Sequence, residues 1–369
     1  MRPAVASPTL ADRLTVTHSR PAGFDWMRLL LAAAVVGWHT IGTSYGDVAQ
    51  HGFWSSPLWR PPLAAILGMF FALSGFLVAG SLERCRTMVS FVGLRVMRIL
   101  PALAVEVLLC ALILGPLLTH YSLHEYFVDR RFWHYLANML GIVHFVLPGV
   151  FLDNPWPSTV NAQLWTVPYE LRCYEVLLVL SIVGFYRRKA HLVGALIVSG
   201  VVFFLFVDFA ERRALPGGEF VFCFLLGVGL HRFRDSIAWS APLAALSAVL
   251  AAALLLLPRG DSLAPIPLAY LTVYLGLLDP PRVKWLFAGD YSYGLFLYGF
   301  PIEQAVASAG PWAQHWYISV ALAYPLTAAV AVGSWWWVEK PVLSQKATLR
   351  RLEDLYLVIA RFAARRHLT

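Results

Sequence analysis

Arg28 and His39 stand eleven residues apart in the run FDWMRLLLAAAVVGWHT, with nothing charged between them. On a helix that spacing is three turns, ~16 Å at 1.5 Å per residue, and it returns both side chains to roughly the same face. A neutral imidazole is the usual general base at physiological pH, and a guanidinium is the natural grip for phosphate oxygens. A core histidine bonded to a neighbouring helix is the structural alternative for His39. Arg95 and Arg98, in FVGLRVMRILP, are three residues apart and share a helix face. With Arg28 they would make an anion clamp, although ordinary anchoring by basic residues also accounts for them. Glu170 lies in NAQLWTVPYELRCYE beside Trp165, Tyr169, Arg172 and Tyr174. Its carboxylate could orient and charge-stabilise the imidazole, hold an acceptor hydroxyl, or form an internal ion pair with Arg172. Ser74-Gly75 in FFALSGFLVAG suits close helix packing. Ser292, Tyr293 and Tyr298 in YSYGLFLYGFP suit either a polar cavity or an aromatic belt. Glu339 in WWWVEKP is expected at an interface, paired with a basic loop residue. No convincing Ser/His/Asp set accompanies these residues.

The elements that must hold them are hydrophobic. Of 369 residues, 59% are hydrophobic and 14% charged, against roughly 25% charged in soluble domains, and the mean hydropathy is +0.64. Ionisable groups inside such runs are costly and mark function by default. A helix needs ~20 apolar residues to cross the hydrocarbon. Candidate segments fall at 27–46, 61–82, 96–118, 164–186, 190–209, 216–231, 237–257, 263–279, 285–307 and 316–338, which predicts an all-α integral membrane protein with about ten transmembrane helices. With both termini cytoplasmic and 132–150 not crossing, 22 of the 29 Lys and Arg residues face inward, as the positive-inside rule requires. A crossing at 132–150 would destroy that asymmetry. This segment is therefore placed in one long outer loop, 119–163, as a re-entrant or interfacial piece acting as a lid or cavity wall. Residues 1–26 form a cytoplasmic segment and 27–340 the membrane domain. Residues 341–369, with Leu349, Leu352, Leu355, Tyr356, Ile359 and Phe362 among arginines, form a basic amphipathic tail. No small-residue cleavage site follows the first apolar run, so it is expected to be retained. The net charge of +8 is spread between apolar runs, which argues against a nucleic-acid partner. Cys85, Cys110, Cys173 and Cys223 show no metal-ligand or redox spacing.

Taken together these stretches resemble the membrane acyltransferase-3 family, over nearly the whole chain and in the family's order. FDWMRLLLAAAVVGWH carries the Arg-x10-His pattern of the first helix, FFALSGF the Ser-Gly-Phe element, and Arg95-x-x-Arg98 the R-x-x-R stretch. NAQLWTVPYELRCY places Glu170 on the family's glutamate, and YSYGLFLYGFP and VEKP supply the last two marks. The variants around PGVFLDNPWPSTV look closest to exopolysaccharide-modifying members. Two positions depart from the pattern. Gly299 stands where many members have histidine, and Ala162-Gln163 where many have a small pair. No fused SGNH-type domain is expected.

The resemblance implies an inner-membrane enzyme that moves an acyl group, acetyl being expected, from acyl-CoA to a hydroxyl of a cell-surface or lipid-linked sugar such as exopolysaccharide or lipopolysaccharide. It implies no permanently bound cofactor and no metal. His39 would act as general base with Glu170 as the second catalytic residue. Arg28, Arg95 and Arg98 would hold the donor's phosphates. Ser74, Trp165, Tyr169, Tyr174 and Tyr293 would contact substrate. A lipid-linked-sugar flippase and a structural export subunit are the competing readings. The sequence sets no oligomeric state.

Overall fold

The computed structural model describes residues 7–213, 217–257, 260–345, 347–351 and 353–357. Those residues form helices and no named strand. Ten helices carry the architecture: α1 (Ala22–Tyr45), α2 (Arg60–Arg84), α3 (Met88–Leu118, through a π-helical stretch at Cys110–Leu114), α4 (Val167–Ile182), α5 (Lys189–Arg213), α6 (Gly218–Arg232), α7 (Ala241–Leu256), α8 (Pro265–Gly276), α9 (Ser292–Ala307) and α10 (Trp316–Ser334). Each falls on one of the ten apolar segments. Arg60–Arg84, Met88–Leu118 and the helical run Trp316–Leu357 are long and apolar enough to cross a membrane. Outward-facing leucines and valines, such as Leu30, Ile113, Val198 and Val249, are well exposed along several helices. Apolar surface on that scale belongs against lipid rather than water, and the chain is a membrane protein.

Helix starts are set by local chemistry. Pro61-Pro62 in α2, Pro168 in α4, Pro242 in α7 and Pro265 in α8 sit in the first turn, where a missing N–H leaves nothing unsatisfied. Thr87 caps α3 by accepting from the Ser90 N–H at 3.2 Å. α9 begins at Ser292, seven residues later than expected, because 283–291 forms a series of turns instead.

Tight crossings fix the bundle. A Cβ on Gly75 of α2 would lie 1.9 Å from the Phe224 carbonyl oxygen of α6, and one on Gly227 of α6 would lie 2.0 Å from that of Ala72. The two glycines thus let the backbones touch, as small residues do between membrane helices. α1 packs on α9, where Gly299 accommodates Val36.

Segment 132–150 carries a helix at Arg130–Tyr135, a 3₁₀ turn at Leu136–Leu140 and then irregular chain. Six helical residues reach only ~9 Å, too little for a span. The loop is packed: Phe132, Tyr135, Leu147, Val150 and Phe151 are buried in the main core. The Asn138 side chain bonds both the N–H and the carbonyl of His144 at 2.8 Å. Irregular backbone at membrane depth requires such cover. The tail is helical at Lys340–Ser344 and again over 347–351 and 353–357. Leu352, Ile359, Phe362, Arg361, Arg365 and Arg366 of the expected amphipathic stripe lie outside the described residues.

Candidate active site

α1 presents Arg28, α3 presents Arg95 and Arg98, and the turn before α9 presents Asp290. Arg28 and Arg98 both pair with Asp290 Oδ2, the latter at 2.8 Å, and Ser292 donates to Asp290 Oδ1 at 2.8 Å. Arg98 also pairs with Glu339 at 3.1 Å. Glu339 is therefore not at an interface with a loop residue. It is 2% exposed and bound to α3. Its π-helical stretch, Trp335–Glu339, turns the carboxylate inward. Two guanidiniums and two carboxylates make this network neutral.

Arg95 stands apart. It donates to Ser81 Oγ at 3.1 Å and lies 5.8 Å above the Tyr174 ring. Among the described residues no carboxylate comes within 4 Å of it, and its buried Nε has no partner. It is the cation of the group whose charge is left for a ligand.

These residues surround a cavity of about 490 Å³ that runs along α2 from Leu67 to Cys85. Eighteen helical residues correspond to ~27 Å, close to the ~30 Å hydrocarbon thickness. Arg28, Ser74, Arg84, Arg95, Arg98, Glu170, Tyr174 and Tyr293 line it, with an apolar wall of Leu67, Phe70 and Phe71. Glu170 accepts a hydrogen bond from Tyr174, one turn on, at 2.5 Å. Tyr293 donates to the Ile99 carbonyl at 3.3 Å, and Arg98 lies 5.5 Å from its ring centroid. Arg172 stacks over Tyr169 at 5.7 Å, and it does not pair with Glu170. The cavity has the shape and charge for an elongated ligand with an anionic head.

Three expected site residues are not on this wall. Trp165 and Tyr169 pack on each other and on Phe220, with centroids 5.5 to 6.0 Å apart. His39 is 7% exposed and stands edge-on to Phe300 at 5.1 Å, with Trp156 at 6.4 Å. Its Nδ1 is buried without a partner. Val35, one turn nearer Arg28, lines the cavity, so the imidazole sits one turn beyond the α1 wall.

Three acids carry no motif that singles them out in the sequence: Asp290, Glu106 and Glu303. Asp290 lay inside the expected span 285–307, among the residues before YSYGLFLYGFP. Glu106 and Glu303 lay inside expected spans, and the criterion that selected His39 selects them too. Glu106 is fully buried with Oε2 unpartnered, near Cys110 Sγ at 3.4 Å. The departure at position 299 has a steric basis: a Cβ there would meet Val36 at 2.6 Å, so a histidine has no room.

Known proteins bear on this geometry. A family model described as an acyltransferase domain matches residues 22–340. The chain is 26% identical to Nodulation protein 10 of Rhizobium leguminosarum bv. viciae, over 89% of this chain and 95% of that protein. It is 25% identical to an O-acetyl transferase of Shigella phage Sf6, over 88% of this chain and 96% of that one. No solved structure matches it. The matched segment runs from the first residue of α1 to Lys340, just past Glu339, and so takes in every cavity-lining residue but Leu343: the chain belongs to the acyltransferase-3 family and is an enzyme that transfers acyl groups.

Proposed function

We propose that the protein is a multi-pass inner-membrane O-acyltransferase that carries an acyl group, acetyl in the simplest case, from acyl-CoA to a hydroxyl of a cell-surface or lipid-linked sugar. The observation that carries this reading is the elongated cavity, with an uncompensated arginine near one end and an apolar wall beyond. The printed name of the phage relative, an O-acetyl transferase, supports the chemistry.

The donor's phosphates bind Arg95. Arg28 and Arg98, already paired with Asp290 and Glu339, complete a polar rim beside it. The acyl arm extends along α2 past Ser74 towards Glu170, Tyr174 and Tyr293. His39 takes the proton of the acceptor hydroxyl as its oxygen attacks the thioester carbon. The new C–O bond forms, the C–S bond breaks, and the departing thiolate recovers the proton. Glu170 and its tyrosines hold the reacting groups in line, which is where much of the rate enhancement of such a transfer arises. Ten helices cross the membrane with both termini inside, and the packed loop 119–163 caps the outer side.

Two measurements test this. His39→Ala should abolish acyl transfer by the purified protein while leaving its size-exclusion profile unchanged, and normal O-acylation by that variant refutes the base assignment. Cys85 lines the cavity and is the one partly exposed cysteine of the four. Burial pushes its thiol up from its ordinary pKa, so maleimide labelling is best read at alkaline pH, where the thiolate is populated. Acyl-CoA should slow that labelling several-fold; equal rates with and without acyl-CoA would remove the donor from the cavity.

A further inference from the structure

The seam between α1 and α9 holds polar groups that the reaction above does not use. Three contacts climb it in register. Val36 fills the space beside Gly299. The His39 ring stands edge-on to Phe300 at 5.1 Å. Thr40 Oγ1 donates to Glu303 Oε1 at 2.5 Å. Glu303 is fully buried, and its second oxygen, Oε2, has no hydrogen-bond partner. One residue before Thr40, His39 Nδ1 is likewise buried and unpartnered. Among the described residues no Lys, Arg or His lies within ion-pair distance of Glu303. The other titratable group on this side is Tyr324 of α10, whose hydroxyl is spent on the Ala33 carbonyl at 2.7 Å. A carboxyl group buried among membrane helices without a cation is expensive. It is worth keeping where a positive charge arises nearby during turnover.

We propose that Glu303 is the charge partner of His39, a positioning residue that stabilises the imidazolium formed when the ring takes the acceptor proton. The proposal rests on His39 being the base. Glu170 is less suited to this role: it is tied to Tyr174 and faces the donor cavity, which His39 does not line. Thr40 fixes one oxygen of Glu303 and leaves the other free on the seam that His39 shares. In a water-poor interior such a charge acts over more than contact distance. The proton still passes from acceptor hydroxyl to His39 to thiolate; Glu303 neither gains nor loses one.

Glu303→Gln is the discriminating variant. The amide keeps the side chain's shape and still accepts from Thr40, so a purely structural role predicts wild-type turnover. A charge role predicts a fall in kcat of tenfold or more, with KM for acyl-CoA within about twofold. Thr40→Val should lower kcat in the same manner and Thr40→Ser should recover most of it, which keeps the question decidable if Glu303→Gln fails to fold. Wild-type kcat in Glu303→Gln, or in Thr40→Val, overturns the proposal. If His39→Ala is inactive in that case, the base assignment survives and only the Glu303 partnership falls. An active His39→Ala removes both.

Discussion

Arg28, Arg95 and Arg98 look equivalent as letters, and their surroundings make them different. Asp290 and Glu339 neutralise Arg28 and Arg98 before any ligand arrives. A phosphate reaching them must compete with carboxylates already in place. Among the described residues Arg95 has Ser81 and the rings of Phe91 and Tyr174 beside it and no carboxylate in ion-pair distance, so it can give its full charge to an anion. A charge-assisted hydrogen bond contributes about 1.5–3 kcal/mol, and 1.4 kcal/mol is a factor of ten in affinity. Arg95→Gln should therefore raise KM for acyl-CoA by ten-fold or more in steady-state assays, with kcat changed by less. Arg28→Gln should act mainly through stability, because it leaves Asp290 under-paired; the reverse order of the two KM effects would show that the network opens to receive the donor. None of this ranking was readable from spacing. The R-x-x-R motif put Arg95 and Arg98 on one helix face, but which of them is neutralised depends on a turn residue 192 positions later. Glu339 was misplaced for the same reason. Its neighbours Lys340 and Pro341 looked like a membrane edge, and only the packing against α3 shows it buried.

At the level of elements, hydropathy located every long helix, because each must present an apolar surface to lipid or to its neighbours. It did not locate their ends. The chain before Ser292 is apolar enough to read as helix, yet it turns to deliver Asp290 to two arginines. What the runs could not reveal is how closely the helices approach. Ser74-Gly75 suggested packing, and the structure divides the pair: Ser74 faces the cavity while Gly75 lies against the α6 backbone. Gly227→Ala should force α2 and α6 apart. Overpacking of this kind costs about 1–3 kcal/mol, and it should lower the thermal unfolding midpoint in detergent by several degrees. It should also weaken acyl-CoA protection of Cys85, since α2 forms one cavity wall. Gly52→Ala meets nothing within 4 Å and should leave the midpoint unchanged. If Gly227→Ala matches that control, the crossing is looser than described.

For the whole molecule, the distribution of charge and the shape of one loop have to agree. The placement of 22 of 29 basic residues on one side holds only if 132–150 stays outside, since a crossing there inverts every later loop. The short helix, 3₁₀ turn and packed irregular chain in that segment argue for a cap rather than a span. The cap also lies over the α3 end that buries Glu106, where Tyr126 donates to the Ala111 carbonyl at 2.8 Å. Three exposed positions decide the matter: Ser19 ahead of α1, His124 in the loop, and Arg188 between α4 and α5. In a Cys85→Ser background, single cysteines at these sites are labelled with a membrane-impermeant maleimide in right-side-out vesicles. His124→Cys should react at once, and Ser19→Cys and Arg188→Cys only after the vesicles are opened. Arg188 is the informative site, because its side depends on whether the chain between α3 and α4 crosses. Immediate labelling of Arg188→Cys would mean an extra crossing. It would put the basic loops after α4 on the outer face, on the side opposite the R-x-x-R end of α3.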